Sequence, residues 1–324
     1  MNKFSRIKQT ALSVLIGSAI GASVAHAAPV SLPQNISPGF GSTLWQITDS
    51  GGTDTNNPFT GNCSGPGLNI QDATSAGGDS DAFDHAYSIW INGVVFVPPA
   101  TVDLTGTTLT AGPVSMSGLN VTVQYWFDTA SAVARVLVTL QNPTGSDIAT
   151  TVQIPVNFGS DGSTIYEATS SGDTSMTTAD IWAVTSQGGT GEYNTTVVPG
   201  TSAVQTTVFN CTGTEGIGST YNVSVPAGQS RSIMMFAGLG SINNTTDSLA
   251  GAIAAAPLFN TLDSVVAQGW TAGMSAQQLA EVVNWGPYVA PTPTSIPTLS
   301  EWGMILLSSF LAVGTIVTLR RQRQ

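Results

Sequence analysis

The stretch VTVQYWFDTASAVARVLVTLQNPTGSDIATTVQIPVNF, residues 121–158, decides the fold class. Val121, Val123, Tyr125 and Phe127 alternate with Thr122, Gln124 and Trp126. Ala134, Val136, Val138 and Leu140 alternate with Arg135, Leu137, Thr139 and Gln141. Val152, Ile154, Val156 and Phe158 alternate with Gln153, Pro155 and Asn157. A period of two with one apolar face marks strands that bury one side. Asp128–Ala132 and Asn142–Gly145 carry the turn residues between them. The expected unit is a three-strand antiparallel meander, with Pro155 at an edge or a bulge because it cannot donate to a ladder.

Outward from this core the same signals recur. Ser42–Thr48 reads as a strand, whereas residues 61–85 are dense in Gly, Ser, Asp and Asn and read as a long loop. Tyr87–Val97 holds a hairpin turned at Asn92-Gly93. Short strands are expected at Thr101–Leu104, Thr107–Thr110, Ile181–Thr185, Ala203–Phe209, Tyr221–Val225 and Ser232–Ala237, with a tight turn at Pro226–Gln229. Closely spaced strands without intervening helices predict an antiparallel β-sandwich, Ig-like or jelly-roll-like, over residues 28–244; a barrel fits the same spacing. At about residue 245 the pattern turns helical. Thr246 or Asp247 can cap a helix through Ala256, and Leu258–Gln268 ends at Gly269. Ser275-Ala276-Gln277-Gln278 is a capping-box pattern that opens a helix through about Trp285. Residues 245–286 are therefore expected to form a small helical cap, followed by a proline-rich stalk at 287–295.

The two ends are targeting segments. Lys3, Arg6 and Lys8 precede an apolar run at Ala11–Ala22, and Ala25-His26-Ala27 has the A-x-A form of a cleavage site, so residues 1–27 read as a secretory signal peptide. At the other end, Gly303–Leu319 is apolar over seventeen residues. As a helix it would extend roughly 25 Å, the short end of a membrane span. Arg320, Arg321 and Arg323, within a basic end at 320–324, would stop it on the cytoplasmic side.

Ahead of that run stand Ile296, Pro297, Thr298 and Leu299, then two residues, then Trp302 and Gly303. This resembles the IPTLxxWG signature of the IPTL-CTERM sorting tails of Gram-negative bacteria. The resemblance covers about residues 295–323. It implies recognition and cleavage by an exosortase-like protease. It also implies a passage through the inner membrane and delivery to the cell surface or extracellular matrix, where polysaccharide and envelope components are the available partners. It says nothing of the body.

Between the two ends, residues 28–295 keep two basic residues, Arg135 and Arg231, against eighteen acids, a net charge of −16. Such a body repels nucleic acid and anionic lipid surfaces. Cys63 and Cys211 lie in matching turn contexts; in an oxidising compartment a lone pair forms a disulfide, the alternatives being free thiols or a metal pair lacking further ligands. Asp79, Asp81 and Asp84 in a Gly-bearing loop could bind Ca²⁺, although the EF-hand's central glycine and distal glutamate are missing; no other cofactor is implied. Asp84-His85 invites a triad with a serine, but no Gly-x-Ser-x-Gly is present. Asp161, Glu167 and Asp173 could supply carboxylate pairs. The tryptophans, Trp126 above all, could stack on sugars if exposed. The expectation from these residues is a non-enzymatic exported protein of structural or adhesive type. The alternatives are a carbohydrate-binding module and a secreted hydrolase.

Overall fold

The computed structural model describes residues 27–51, 59, 66–188, 194–203, 205–209 (backbone only), 216–286, 306 and 308. Its strands are β1 (Ala28–Val30), β2 (Gln34–Ile36), β3 (Leu44–Asp49), β4 (Leu68–Thr74), β5 (Trp90–Ile91), β6 (Val94–Val95), β7 (Val102–Thr105), β8 (Thr108–Met116), β9 (Leu119–Phe127), β10 (Val133–Gln141), β11 (Ile148–Asn157), β12 (Thr164–Thr169), β13 (Ala183–Gln187), β14 (Thr195–Val198), β15 (Gln205–Phe209), β16 (Gly216–Val225) and β17 (Ser230–Leu239). Three short helices follow: α1 (Leu249–Ala255), α2 (Leu262–Ala267) and α3 (Ala276–Glu281).

A nine-stranded sheet runs β1-β7-β8-β9-β10-β17-β14-β13-β12. Facing it are a five-stranded sheet, β15-β16-β11-β5-β6, and a three-stranded one, β2-β3-β4. One apolar core joins all three. Val121, Val123 and Val136 of the large sheet meet Val152 and Ile154 of the five-stranded sheet and Ile47 and Ile70 of the smallest. The opposite face of the large sheet is also covered. Val133, Leu137, Met234 and Phe236 pack under the helices with Phe259, Val265 and Trp270. The large sheet therefore buries both faces around β10, β17 and β14, which is why β10 carries apolar residues at successive positions such as Val136, Leu137 and Val138.

The meander expected over 121–158 holds for two strands only. β9 pairs with β10 antiparallel, Val123 opposite Val138. β11 then leaves for the other layer and pairs with β16 and β5, while β17 takes its place beside β10. Asn142 turns the chain: its amide donates to Ser146 O at 2.8 Å and to Val225 O at 2.9 Å. Pro155 behaves as its chemistry requires. Its carbonyl accepts from Tyr87 N, so its missing donor faces that side, beyond the end of β5.

A jelly roll has about eight strands and an immunoglobulin domain about seven to nine; here one sheet alone has nine, so both counts are exceeded. β4 lies inside the segment read as a long loop. Thr107–Thr110 begins a strand that continues to Met116 through a bulge between Ala111 and Val114. Gly112 sits there at φ 105°, and a Cβ on it would lie 2.7 Å from Val121 O, so the bulge needs glycine. The helices are shorter than expected. Ser248, not Thr246 or Asp247, caps α1. The capping box of Ser275 and Gln278 is present, but α3 stops at Glu281 because Val282 bridges Ser232 on the free flank of β17. Among the described residues no helix is long and apolar enough to cross a membrane; the span expected at 303–319 lies outside them, save Leu306 and Ser308.

Candidate functional site

The loop after β4 returns along the ends of two sheets. Ala82 N donates to Ala73 O, Gly159 N to Ala82 O, Asp84 N to Asn157 O and His85 N to Gln71 O. Phe83 is fully buried, bridges Phe158 and packs edge-on against Tyr87. Gly159 lies so close that a Cβ on it would meet the Asp81 carbonyl oxygen at 1.8 Å. Asp81, His85 and Tyr87 take positive φ angles of 69°, 63° and 59°, and Asp161 one of 49°. These contacts bring Asp81 and Asp84 to Asp72 of β4 and to Asp161 of the turn after β11.

The electrostatics follow from the crowding. Burial, then the charges of Asp161 and Asp81, a hydrogen bond with Asp161 and the charge of Asp72, push the Asp84 carboxyl up to about 6. Asp81 is raised by burial and by Asp161. Asp72 is raised by burial first and by Asp81, against a hydrogen bond from Ala73 N. Asp84 can therefore exchange a proton near pH 6. Asp72 escaped the sequence reading because it sat in a segment taken for loop; Asp161 was a candidate carboxylate there, but it is distant in sequence, with no local signal tying it to Asp84. Asp79 is not among the carboxylates that act on Asp84. Among the described residues no group of three or more His, Cys, Asp or Glu side chains is placed to hold a metal ion.

His85 is half-buried, and burial lowers its basicity. Nδ1 lies 3.2 Å from Asn69 Oδ1 and 3.3 Å from Ser50 Oγ. The Asn69 amide is oriented by donation to Gly67 O, so Oδ1 faces the ring and requires a proton on Nδ1. A protonated Nδ1 cannot take the Ser50 proton. A triad also needs its serine and its acid on opposite ring nitrogens, and here both neighbours share one. Glu167 accepts from Ser186 Oγ, and Asp173 accepts from Thr169 Oγ1 and Ser175 N, so both carboxylates are engaged in local contacts. Trp126 is 9% exposed and lies against the buried Arg135; Trp45, Trp90, Trp182, Trp270 and Trp285 are buried as well, so none of the six offers an exposed stacking face. Cys63, Cys211, the motif Ile296–Gly303 and Arg320, Arg321 and Arg323 lie outside the described residues.

Residues 294–323 match the IPTL-CTERM motif family, so the chain carries this C-terminal sorting motif. No curated protein matches the chain. Solved structures similar to it include a protein assigned as a kojibiose phosphorylase from human microbiome. Identity there is 7% and the TM-score 0.41, over 76% of this chain and 37% of that one. A second is a protein assigned as an aldose 1-epimerase from Klebsiella pneumoniae, at 9% identity and TM-score 0.43, over 69% and 81%. A third is a galactose mutarotase related enzyme from Lactobacillus acidophilus, at 8% and 0.37, over 67% and 99%. The chain thus spans little more than a third of the length of the first. These names correct the expectation of a non-enzymatic chain: these three structures are named as enzymes, and a missing catalytic motif does not exclude catalysis. At such identities and scores no activity passes from them to this protein.

Proposed function

We propose that this is an exported surface protein. Residues 1–27 send it across the inner membrane, and residues 296–324 present it to an exosortase-like protease. The β-rich body is then displayed at the cell surface or in the extracellular matrix for structural or adhesive work. The observation that carries this reading is the family match over 294–323. Two features support it. Lysine is absent between the two ends, and the net charge of −16 keeps the body soluble and off anionic surfaces. The chain is also gripped just before the tail: Asn284 is fully buried, accepts from Met234 N and donates to Pro199 O and Met234 O, each at 2.8 Å.

The test is fractionation with intact-mass measurement of the wild type and of a Pro297→Ala, Trp302→Ala double variant. The wild type should reach the surface fraction shortened at its C-terminus, and the variant should stay in the membrane at full length. Equal mass and equal location for both would end this reading.

A further inference from the structure

A cleft of about 460 Å³ opens on the outer face of the five-stranded sheet. Its floor is β11 and β16 side by side, with Thr151 opposite Asn222 and Ala149 opposite Ser224. One wall is the turn of the β5–β6 hairpin. The register explains why the cleft exists. β5 pairs with β11 only at Val152 and Gln153. At Thr151 the hairpin turns away, and Asn92 finishes the ladder: its N–H donates to Thr151 O at 3.0 Å, and its Oδ1 accepts from Thr151 N at 2.8 Å. Thr151 therefore directs its backbone groups away from β16. Ala149, two residues on, directs its own the same way. Among the described residues no strand pairs with β11 on that side of Ala149.

The chemistry of the lining is selective. Its side chains are amides, hydroxyls and small apolar groups, and no acid or base is among them, in a body whose net charge is −16. A cationic ligand would find no carboxylate there, and an anionic one would meet no base and an unfavourable field. Asn222 and Ser224 are exposed. Both residue types donate and accept, as sugar hydroxyls do. One step on along the same face of β16, Thr220 is 8% exposed and its hydroxyl has no partner among the described residues. An added peptide strand is disfavoured, because Asn92 already occupies the edge at Thr151 and, among the described residues of β11, leaves only Ala149 free on that side. We propose that this cleft binds a neutral, hydroxyl-rich glycan through Asn222, Ser224 and the Ala149 backbone. With no aromatic platform, affinity should lie in the millimolar range.

Hydrogen–deuterium exchange on the full chain in detergent tests this, with maltotetraose, cellotetraose and chitotetraose as neutral probes, and tetragalacturonate and a Gly-Ser octapeptide as controls. The expected result is slower exchange at 147–153 and 220–226 with a neutral saccharide only. An Asn222→Ala, Ser224→Ala double variant should bind about tenfold more weakly; both side chains are exposed, so the fold should not suffer. Protection by none of the neutral probes, protection only by a control, protection elsewhere alone, or unchanged binding by the double variant would each overturn the proposal.

Discussion

Arg135 should be the substitution that most loosens the helical layer from the sheet. Its side chain is 1% exposed. Its acceptors are all neutral: Trp270 O at 3.1 Å, Ala272 O at 3.0 Å and Gln124 Oε1 at 3.0 Å. The guanidinium lies 5.1 Å from the Trp126 ring centroid, and burial pulls its pKa down to about 10, so it stays charged at neutral pH. Trp270 is held from both ends, since its indole N–H also donates to Ser131 Oγ at 3.0 Å and its ring stacks on Phe259 at 4.5 Å. Hydrogen bonds to a charged group contribute about 1.5–3 kcal/mol each, and a buried carbonyl left without a donor costs about 1–3 kcal/mol. Relief of the buried charge offsets part of this. Arg135→Met should therefore destabilise by about 3 kcal/mol and lower the melting temperature by roughly 6–12 °C. Arg135→Lys should fall between, as an ammonium cannot span the same three acceptors. Thermal melts followed by circular dichroism give the number, and limited proteolysis should show earlier cutting within 262–281. A variant Arg135→Met that melts with or above the wild type would show that desolvation outweighs the contacts and refute the reasoning.

Asp84→Asn should act in the opposite direction and depend on pH. The folded state favours protonated Asp84, so this contribution is full below about pH 3.8 and lost as pH rises through about 6. For a dry group the rise would correspond to about 3 kcal/mol; Asp84 is only part-buried, and solvent screening leaves about 1 kcal/mol. In urea melts the variant should be the more stable protein at neutral pH, with the difference shrinking towards pH 4; a variant less stable at neutral pH would contradict this. Asn284→Ala removes three buried hydrogen bonds and should cost about 3 kcal/mol, with new protease cutting near 282–286. A disulfide between Cys63 and Cys211 predicts that neither cysteine is alkylated without reductant.

What the sequence shows of this fold depends on how many faces a strand buries. β9 alternates cleanly because its outer positions Thr122 and Gln124 remain partly exposed, so its inner face was legible from residue types alone. Thr195–Val198 is buried at every position, between the core and the helical layer, and shows no alternation to find. β4 was hidden by Asn69, a fully buried residue whose amide is satisfied by Gly67 O and Ser50 Oγ. Alternation also cannot say which strand lies beside which. Nothing local distinguishes β11 as a neighbour of β10 from β11 as a neighbour of β16, because Val152 and Ile154 bury an identical face either way. The carboxylate cluster failed for the same reason, since Asp161 reaches Asp84 only through the crossing of β11 between layers.

The tail was legible where these sites were not because a sorting motif is a run of neighbouring residues, whereas a site in the body is assembled from distant ones. The join between tail and body connects the two kinds of information. Val283 N donates to Ser232 O, and Trp285 Nε1 donates to Met234 O at 2.8 Å, both on β17 of the large sheet. The chain thus leaves the fold from the layer that carries the helices. The uncharged cleft lies on the outer face of the other layer, on β11 and β16. Asn284 and Trp285 hold this exit segment to β17 through buried hydrogen bonds, so the cleft lies on the layer opposite to the one from which the chain runs on toward the sorting motif.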